Sequence, residues 1–290
     1  MNQKYKGVLY ILCSAFCFAL MNTFVRLSGD LPSVQKSFFR NIVAAIFALI
    51  ILKKEGIKFS HNKGNLRLLI VRSILGTIGI LCNFYAVDHL LLSDASMLNK
   101  MSPFFAIIFS YLFLKEKINL VQGLGVCVAF VGSLFIIKPS FANMALVPSV
   151  IGLIGGIGAG AAYTAVRRLS QKGEKGPFIV FFFSSFSCLV TLPYLIFSYH
   201  SMSLMQIIYL LLAGLAAAGG QFTITAAYSY APAKEISVYD YSQVVFAAIL
   251  GFILFGQIPD AYSILGYILI CGMAVLMFLY NTGKLKGKCI

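Results

Sequence analysis

Charge is scarce in this chain. Only 11% of its 290 residues are Asp, Glu, Lys or Arg, against about 25% in a soluble globular domain. No stretch is long or polar enough to form a separate soluble domain. Tryptophan is absent, so interfacial aromatic belts must come from the 26 Phe and 15 Tyr. The three histidines, His61, His89 and His200, fall between apolar runs and form no His-Glu-x-x-His pattern, and no Walker-type Gly-rich Lys motif occurs. Seven cysteines are scattered, six of them within apolar runs. Cys13 and Cys17 share a helical face, but no His or carboxylate lies near enough for a zinc set, so they read as small packing residues. No cofactor and no metal is expected.

Apolar residues make up 60% of the chain, with a mean hydropathy of +0.90. Runs near 20 residues recur from end to end, each long enough to cross a hydrocarbon core about 30 Å thick as a helix. Helix is the default geometry because lipid offers no partners to backbone polar groups. Ten spans are predicted: 7–27, 35–52, 67–87, 93–114, 118–137, 147–167, 177–198, 203–229, 234–255 and 261–281. The first follows Lys4 and Lys6 but has no small-residue cleavage site, so it is read as a retained span and not a secretory signal.

The formal net charge of +14 suggests nucleic acid until its distribution is considered. With the N-terminus cytoplasmic, the inner segments carry seventeen of the 23 Lys and Arg, and the outer segments carry only Arg26, Lys36 and Lys138. Such asymmetry sets orientation by the positive-inside rule, which places both termini in the cytoplasm of a cell (cytoplasmic) membrane. The basic excess is a topology signal, and no nucleic acid partner is implied.

At an offset of 141 residues the chain repeats part of its own pattern. Thr23, Val25 and Arg26 meet Thr164, Val166 and Arg167; Phe105-Ala106-x-Ile108 meets Phe246-Ala247-x-Ile249; Leu124-Gly125 meets Leu265-Gly266. Five spans per half is an odd number, so the second copy enters the membrane from the opposite side. The expected fold is an all-α polytopic membrane protein of ten transmembrane helices in two inverted five-helix repeats, residues 7–137 and 147–282.

Three stretches carry a family likeness. The segment NFYAVDHLLLSDASMLNKMSPFFAIIFSYLFLKEKI (83–118), its counterpart GGQFTITAAYSYAPAKEISVYDYSQVVFAAILGFILFGQIP (219–259) and Phe38-Phe39-Arg40 resemble EamA-domain proteins of the drug/metabolite transporter superfamily. The likeness spans about 7–282. It implies that helices 1–4 and 6–9 surround a central cavity with helices 5 and 10 to the side, and that the cargo is a small organic metabolite. Where these families often close the fourth helix of each half with Gly-Glu, this chain has Lys115-Glu116 and Gly256-Gln257.

Charges inside spans are costly and mark function by default. Arg40, Arg72, Lys100 and Asp240 are the four considered, with Arg40 close to the end of its span and Arg72 read as an anchor at the basic loop. At the 141-residue offset Asn99 matches Asp240 and Lys100 matches Tyr241, so these pairs are expected to converge near the pseudo-axis. Asn22, Asn83, Tyr163, Gln221, Tyr239 and Gln243 complete the candidate substrate-binding set, because amides and phenols avoid lipid. Asp240 is the candidate proton-coupling group. Glycine crowds span 6, where plain packing is the favoured reading, and the pair Gly219-Gly220 is expected to interrupt span 8; Gly155-Gly156 and Gly219-Gly220 are also the candidate bending points for gating.

The reading is a secondary transporter that moves a small organic metabolite by alternating access, an amino acid or related carboxylate-bearing solute. Export of drugs, amines or nucleotide-like metabolites is the alternative, and an intramembrane lipid-modifying enzyme is more distant. The expected partners are the small-molecule substrate, the lipid bilayer and protons as coupling ion, in a monomer or homodimer.

Overall fold

A computed structural model describes residues 3–56, 63–114, 120–137, 145–230 and 237–281. The Lys115-Glu116 motif, the first residues of predicted spans 5 and 9, and several of the basic residues counted above lie outside them. Among the described residues eleven α-helical segments build ten spans: α1 (Gln3–Leu27), α2 (Ser33–Lys54), α3 (Leu66–His89), α4 (Leu92–Asn99), α5 (Ser102–Leu114), α6 (Leu120–Ile137), α7 (Leu146–Gln171), α8 (Gly176–Phe197), α9 (Leu204–Tyr230), α10 (Ser242–Phe255) and α11 (Ala261–Asn281). A 3-10 turn, Ser237–Tyr241, leads into α10. His89 is the last residue of α3 and not part of a loop.

Six of these helices are each long and apolar enough to cross a membrane unbroken. The fourth span crosses in two pieces, α4 and α5, and the cause lies in one residue. Pro103 has no N–H for the carbonyl of Asn99, and its ring crowds that carbonyl, so the ladder tightens and turns at Lys100 and Met101. The amide of Phe104 then bonds to Met101 O (3.0 Å) rather than to Lys100 O, which is released from the helix.

The two halves interlock. α1 packs along α9 and α3 along α7, while α2 meets α8, α4 meets α10 and α6 meets α11. Exchanging the halves maps each of these pairings onto itself or onto another, as a pseudo-two-fold axis requires. The close approaches repeat too. Ser14 Oγ donates to Gly220 O (2.9 Å) between α1 and α9. Between α7 and α3, a Cβ on Gly155 would sit 3.2 Å from Gly79 O. Ser14 and Gly155, like Gly79 and Gly220, are 141 positions apart.

The glycine pairs do not interrupt their helices. α7 and α9 run through Gly155-Gly156 and Gly219-Gly220 without interruption. A Cβ on Gly156 would lie 2.5 Å from Leu98 O at the break in span 4, and one on Gly220 would lie 2.8 Å from the Phe18 ring. Small residues here let helices touch backbone to backbone, which in lipid replaces the missing hydrophobic drive. Outward, apolar side chains such as Ile50, Leu112, Leu189, Phe252 and Ile268 are exposed, the surface that lipid covers.

The ends of the bundle differ in charge. One end carries Lys53, Lys54, Arg67, Arg167, Arg168, Lys172 and Lys175, and is called the basic face below. The far face is tied together by polar groups. Lys36 Nζ pairs with Asp88 (2.6 Å), Arg26 donates to Val87 O and Leu90 O, and Gln35 exchanges two hydrogen bonds with the backbone of His200. Gln206 on α9 also reaches Ser28 O (3.0 Å).

Candidate functional site

At the centre of the bundle a cavity of about 80 Å³ is lined from α1, α2, α3, α4, α7, α8, α9 and α10, with no residue from α6 or α11. Asn22, Arg40, Asn83, Asn99, Lys100, Tyr163, Gln221 and Gln243 line it. Of the candidate residues read from the sequence, Asp240 and Tyr241 stand directly behind this lining through their bonds to Lys100, and Tyr239, 38% exposed, is not part of it.

Lys100 is at the break between α4 and α5, and Asp240 is in the 3-10 turn before α10. Their side chains meet at 2.5 Å (Nζ to Oδ2), both almost fully buried. Two discontinuities at equivalent places in the two halves thus put a cation against an anion near the pseudo-axis, and transporters built on inverted repeats form their sites at such broken helices. Among the described residues Asp240 Oδ1 has no hydrogen-bond partner. The carbonyl that the break releases, Lys100 O, accepts from the Tyr241 hydroxyl (3.1 Å).

A ladder of amides crosses one wall. Asn83 Nδ2 donates to Asn22 Oδ1 (3.1 Å), and Asn22 Nδ2 reaches Ser96 Oγ on α4 (3.4 Å). Asn83 Oδ1 has no partner among the described residues. These bonds fix α1, α3 and α4 against each other and still present an acceptor beside the cavity.

Arg40 and Arg72 both line the cavity and are buried, with 2% and 6% of their surface exposed. For Arg72 this corrects the anchor reading. An anchoring arginine on α3 would snorkel back toward the basic face. Instead its Nη1 lies one turn further into the span, 2.6 Å from where a Cβ on Gly76 would be. The guanidinium stacks on Phe183 of α8, 3.7 Å from the ring centroid. Arg40 is about 10 Å along α2 at 1.5 Å per residue, deep enough to donate to Asn41 Oδ1 (2.6 Å), and Asn41 in turn holds Ser187 of α8 (2.9 Å).

Sequence reasoning passed over two further carboxylates. Asp88 pairs with Lys36 on the far face. Asp94, in the first turn of α4, is buried and accepts from the Tyr267 hydroxyl of α11 (2.5 Å). Each lies within two residues of a predicted span end, where an acid passes for solvated. A usable signal did exist for Arg72: a glycine one turn ahead in the same span clears room for a long side chain to fold inward.

The profile of the EamA-like transporter family matches residues 5–138 and again 148–279. A pseudopaline exporter of Pseudomonas aeruginosa is 34% identical over 266 residues, covering 91% of this chain and 93% of its own. A riboflavin transporter of Vibrio cholerae is 26% identical, covering 99% and 97%. A solved crystal structure shares the fold at a TM-score of 0.70 and 13% identity, over 95% of this chain and 98% of that one. With both halves matched and relatives of this likeness along nearly the whole length, the chain belongs to the EamA-like transporter family.

Proposed function

We propose that this protein is a secondary active transporter of a carboxylate-bearing small metabolite, an amino acid or a close relative, that works by alternating access. The observation that carries the reading is the buried Lys100–Asp240 pair beside the cavity, with Asp240 Oδ1 still open. An ion pair inside a bundle is costly unless it does work. A zwitterion can take its place part by part, its ammonium on Asp240 and its carboxylate on the freed lysine and the nearby arginines.

Asp240 is also the carboxylate we assign to proton coupling. A proton on it would release Lys100 just as cargo does, so the two events share one switch. The far-face layer of Lys36–Asp88, Arg26 and Gln35–His200 is the barrier that must open on that side. A cavity of about 80 Å³ is small beside the 300–1,000 Å³ of pockets for drug-sized ligands, which supports a cycle in which the halves part to admit cargo. The positive-inside bias supports a cytoplasmic-membrane location with the basic face inside, and the relative named as an exporter supports outward movement.

The test is counterflow in proteoliposomes. Purified protein is screened by thermal shift against amino acids, organic acids, amines and nucleotides, and the best hit is loaded inside vesicles. Saturable exchange of labelled hit, lost in Lys100→Ala and Asp240→Asn, is the expected result. Exchange that persists in both variants would place the site elsewhere.

A further inference from the structure

Arg40 and Arg72 differ from Lys100 in one respect. Among the described residues neither has an anionic partner, whereas Lys36 pairs with Asp88 and Lys100 with Asp240. Among the described residues, Arg40 Nε and Arg72 Nε and Nη1 find no hydrogen-bond partner. The hydroxyls of Ser73 and Thr77 on α3, and of Ser184 on α8, are buried and unpartnered as well. Ser73 adjoins Arg72, Thr77 follows it by five residues on α3, and Ser184 adjoins Phe183 on α8; none of these three lines the cavity, so the unmatched donors that face it are those of the arginines. Two uncompensated guanidiniums in a bundle interior carry a large desolvation cost, and a single cation–π contact with Phe183 returns only a small part of it.

We propose that Arg40 and Arg72 form an anion subsite for a second carboxylate, so that the cargo is an organic acid with at least two carboxylates, such as an amino dicarboxylate. This rests on the transport reading above and narrows it. The charges around the cavity are three cations against one carboxylate. A neutral zwitterion leaves that imbalance untouched, whereas each additional carboxylate on the cargo reduces it. Guanidinium suits the role because its planar fork takes a carboxylate through two parallel bonds. The support is already in place: Asn41, tied to α8 through Ser187, holds the Arg40 head, and Gly76 with Phe183 holds the Arg72 head flat. In this narrow state the Phe183 ring covers Arg72, and the parting of α3 from α8 uncovers it.

The experiment compares thermal stabilisation of the purified full chain by aspartate, glutamate, succinate, asparagine, glutamine, succinamide, sulfate and inorganic phosphate. Wild type, Arg40→Gln, Arg72→Gln, Arg72→Lys and Asp240→Asn are measured. The expected result is that the dicarboxylates raise Tm and their amides do so less. Each Arg→Gln change should weaken dicarboxylate binding about tenfold or more, the effect of losing a charged hydrogen-bonded pair, and should bring it close to that of the amide. Arg72→Lys keeps the charge but not the fork and should fall between, which separates lost recognition from lost folding. An unchanged preference for dicarboxylate over amide in both Gln variants overturns the subsite. So does stabilisation by sulfate or phosphate that equals or exceeds that by the dicarboxylates, and so does the lack of any Tm rise with the dicarboxylates. If the arginine changes have no effect but Asp240→Asn still abolishes binding, the subsite falls and the transport site stands; indifference to both sinks both.

Discussion

The Tyr241 hydroxyl donates to the backbone carbonyl of Lys100, the residue 141 positions earlier and its own counterpart in the other half. The same pair of turns brings Lys100 Nζ to Asp240. One carbonyl freed by Pro103 and one phenol across the pseudo-axis therefore fix where the buried charge pair stands. Tyr241→Phe leaves that carbonyl dry and unpaired, which should cost about 1–3 kcal/mol. The expected outcome is a lowered Tm together with a weakened response to Lys100-dependent ligands; an unaltered Tm would mean that water already serves the carbonyl.

Removing Pro103 tests the break itself. In Pro103→Ala the amide of residue 103 can bond to Asn99 O, and α4 and α5 can join into one helix. Thermal stability should hold or rise, since an interior proline costs about 3 kcal/mol in a helix, while exchange in proteoliposomes should drop sharply. A variant as active as wild type would show that the turn is dispensable.

The charge pair predicts a rescue. Lys100→Met strands Asp240 and should destabilise the protein by about 3–5 kcal/mol, whereas Lys100→Met/Asp240→Asn should recover most of that loss. Transport should be absent in both. Denaturation in detergent and counterflow, measured side by side, separate the structural share from the functional one.

Gly76 should tolerate no methyl. A Cβ there would meet Arg72 Nη1 at 2.6 Å and Phe183 Cε2 at 2.9 Å, so Gly76→Ala displaces the arginine head. Gly123→Ala is the control: it meets nothing within 4 Å and should be neutral or stabilising by about 0.5–1 kcal/mol. Ligand preference should shift in the first variant and stay the same in the second.

Gln257 has a use that needs no carboxylate. Its Oε1 accepts from Leu92 N (3.0 Å), capping the start of α4, just after Gly256 ends α10 with φ +62. Gln257→Glu keeps an acceptor and should be tolerated, while Gln257→Ala should lose about 1 kcal/mol, as a lost helix cap does. Equal melting of the two variants would remove the capping role.

Much of this architecture was legible before any coordinates. Apolar runs near 20 residues are read directly as helices because lipid leaves the backbone no other way to satisfy itself. The constant offset of 141 was legible for a similar reason, since duplicated halves must reuse the same contacts, as Ser14–Gly220 and Gly155–Gly79 do. The meeting of Lys100 with Asp240 followed from that symmetry. Packing at Gly155-Gly156 was legible, but the expected interruption at Gly219-Gly220 is not there, because glycine spacing looks the same whether a helix breaks or merely approaches its neighbour.

What the sequence settled without help is what one-dimensional periodicity can carry: ten helices, two inverted halves, and four charges that lipid would not accept unpaired. Which way a long side chain turns depends on the third dimension. Arg72 lies in a span near a basic loop and by spacing alone would reach back to it. Gly76 and Phe183, one on its own helix and one contributed by α8, turn the guanidinium into the bundle instead. Packing between helices from opposite halves decided that, and with it which cations share the central cavity.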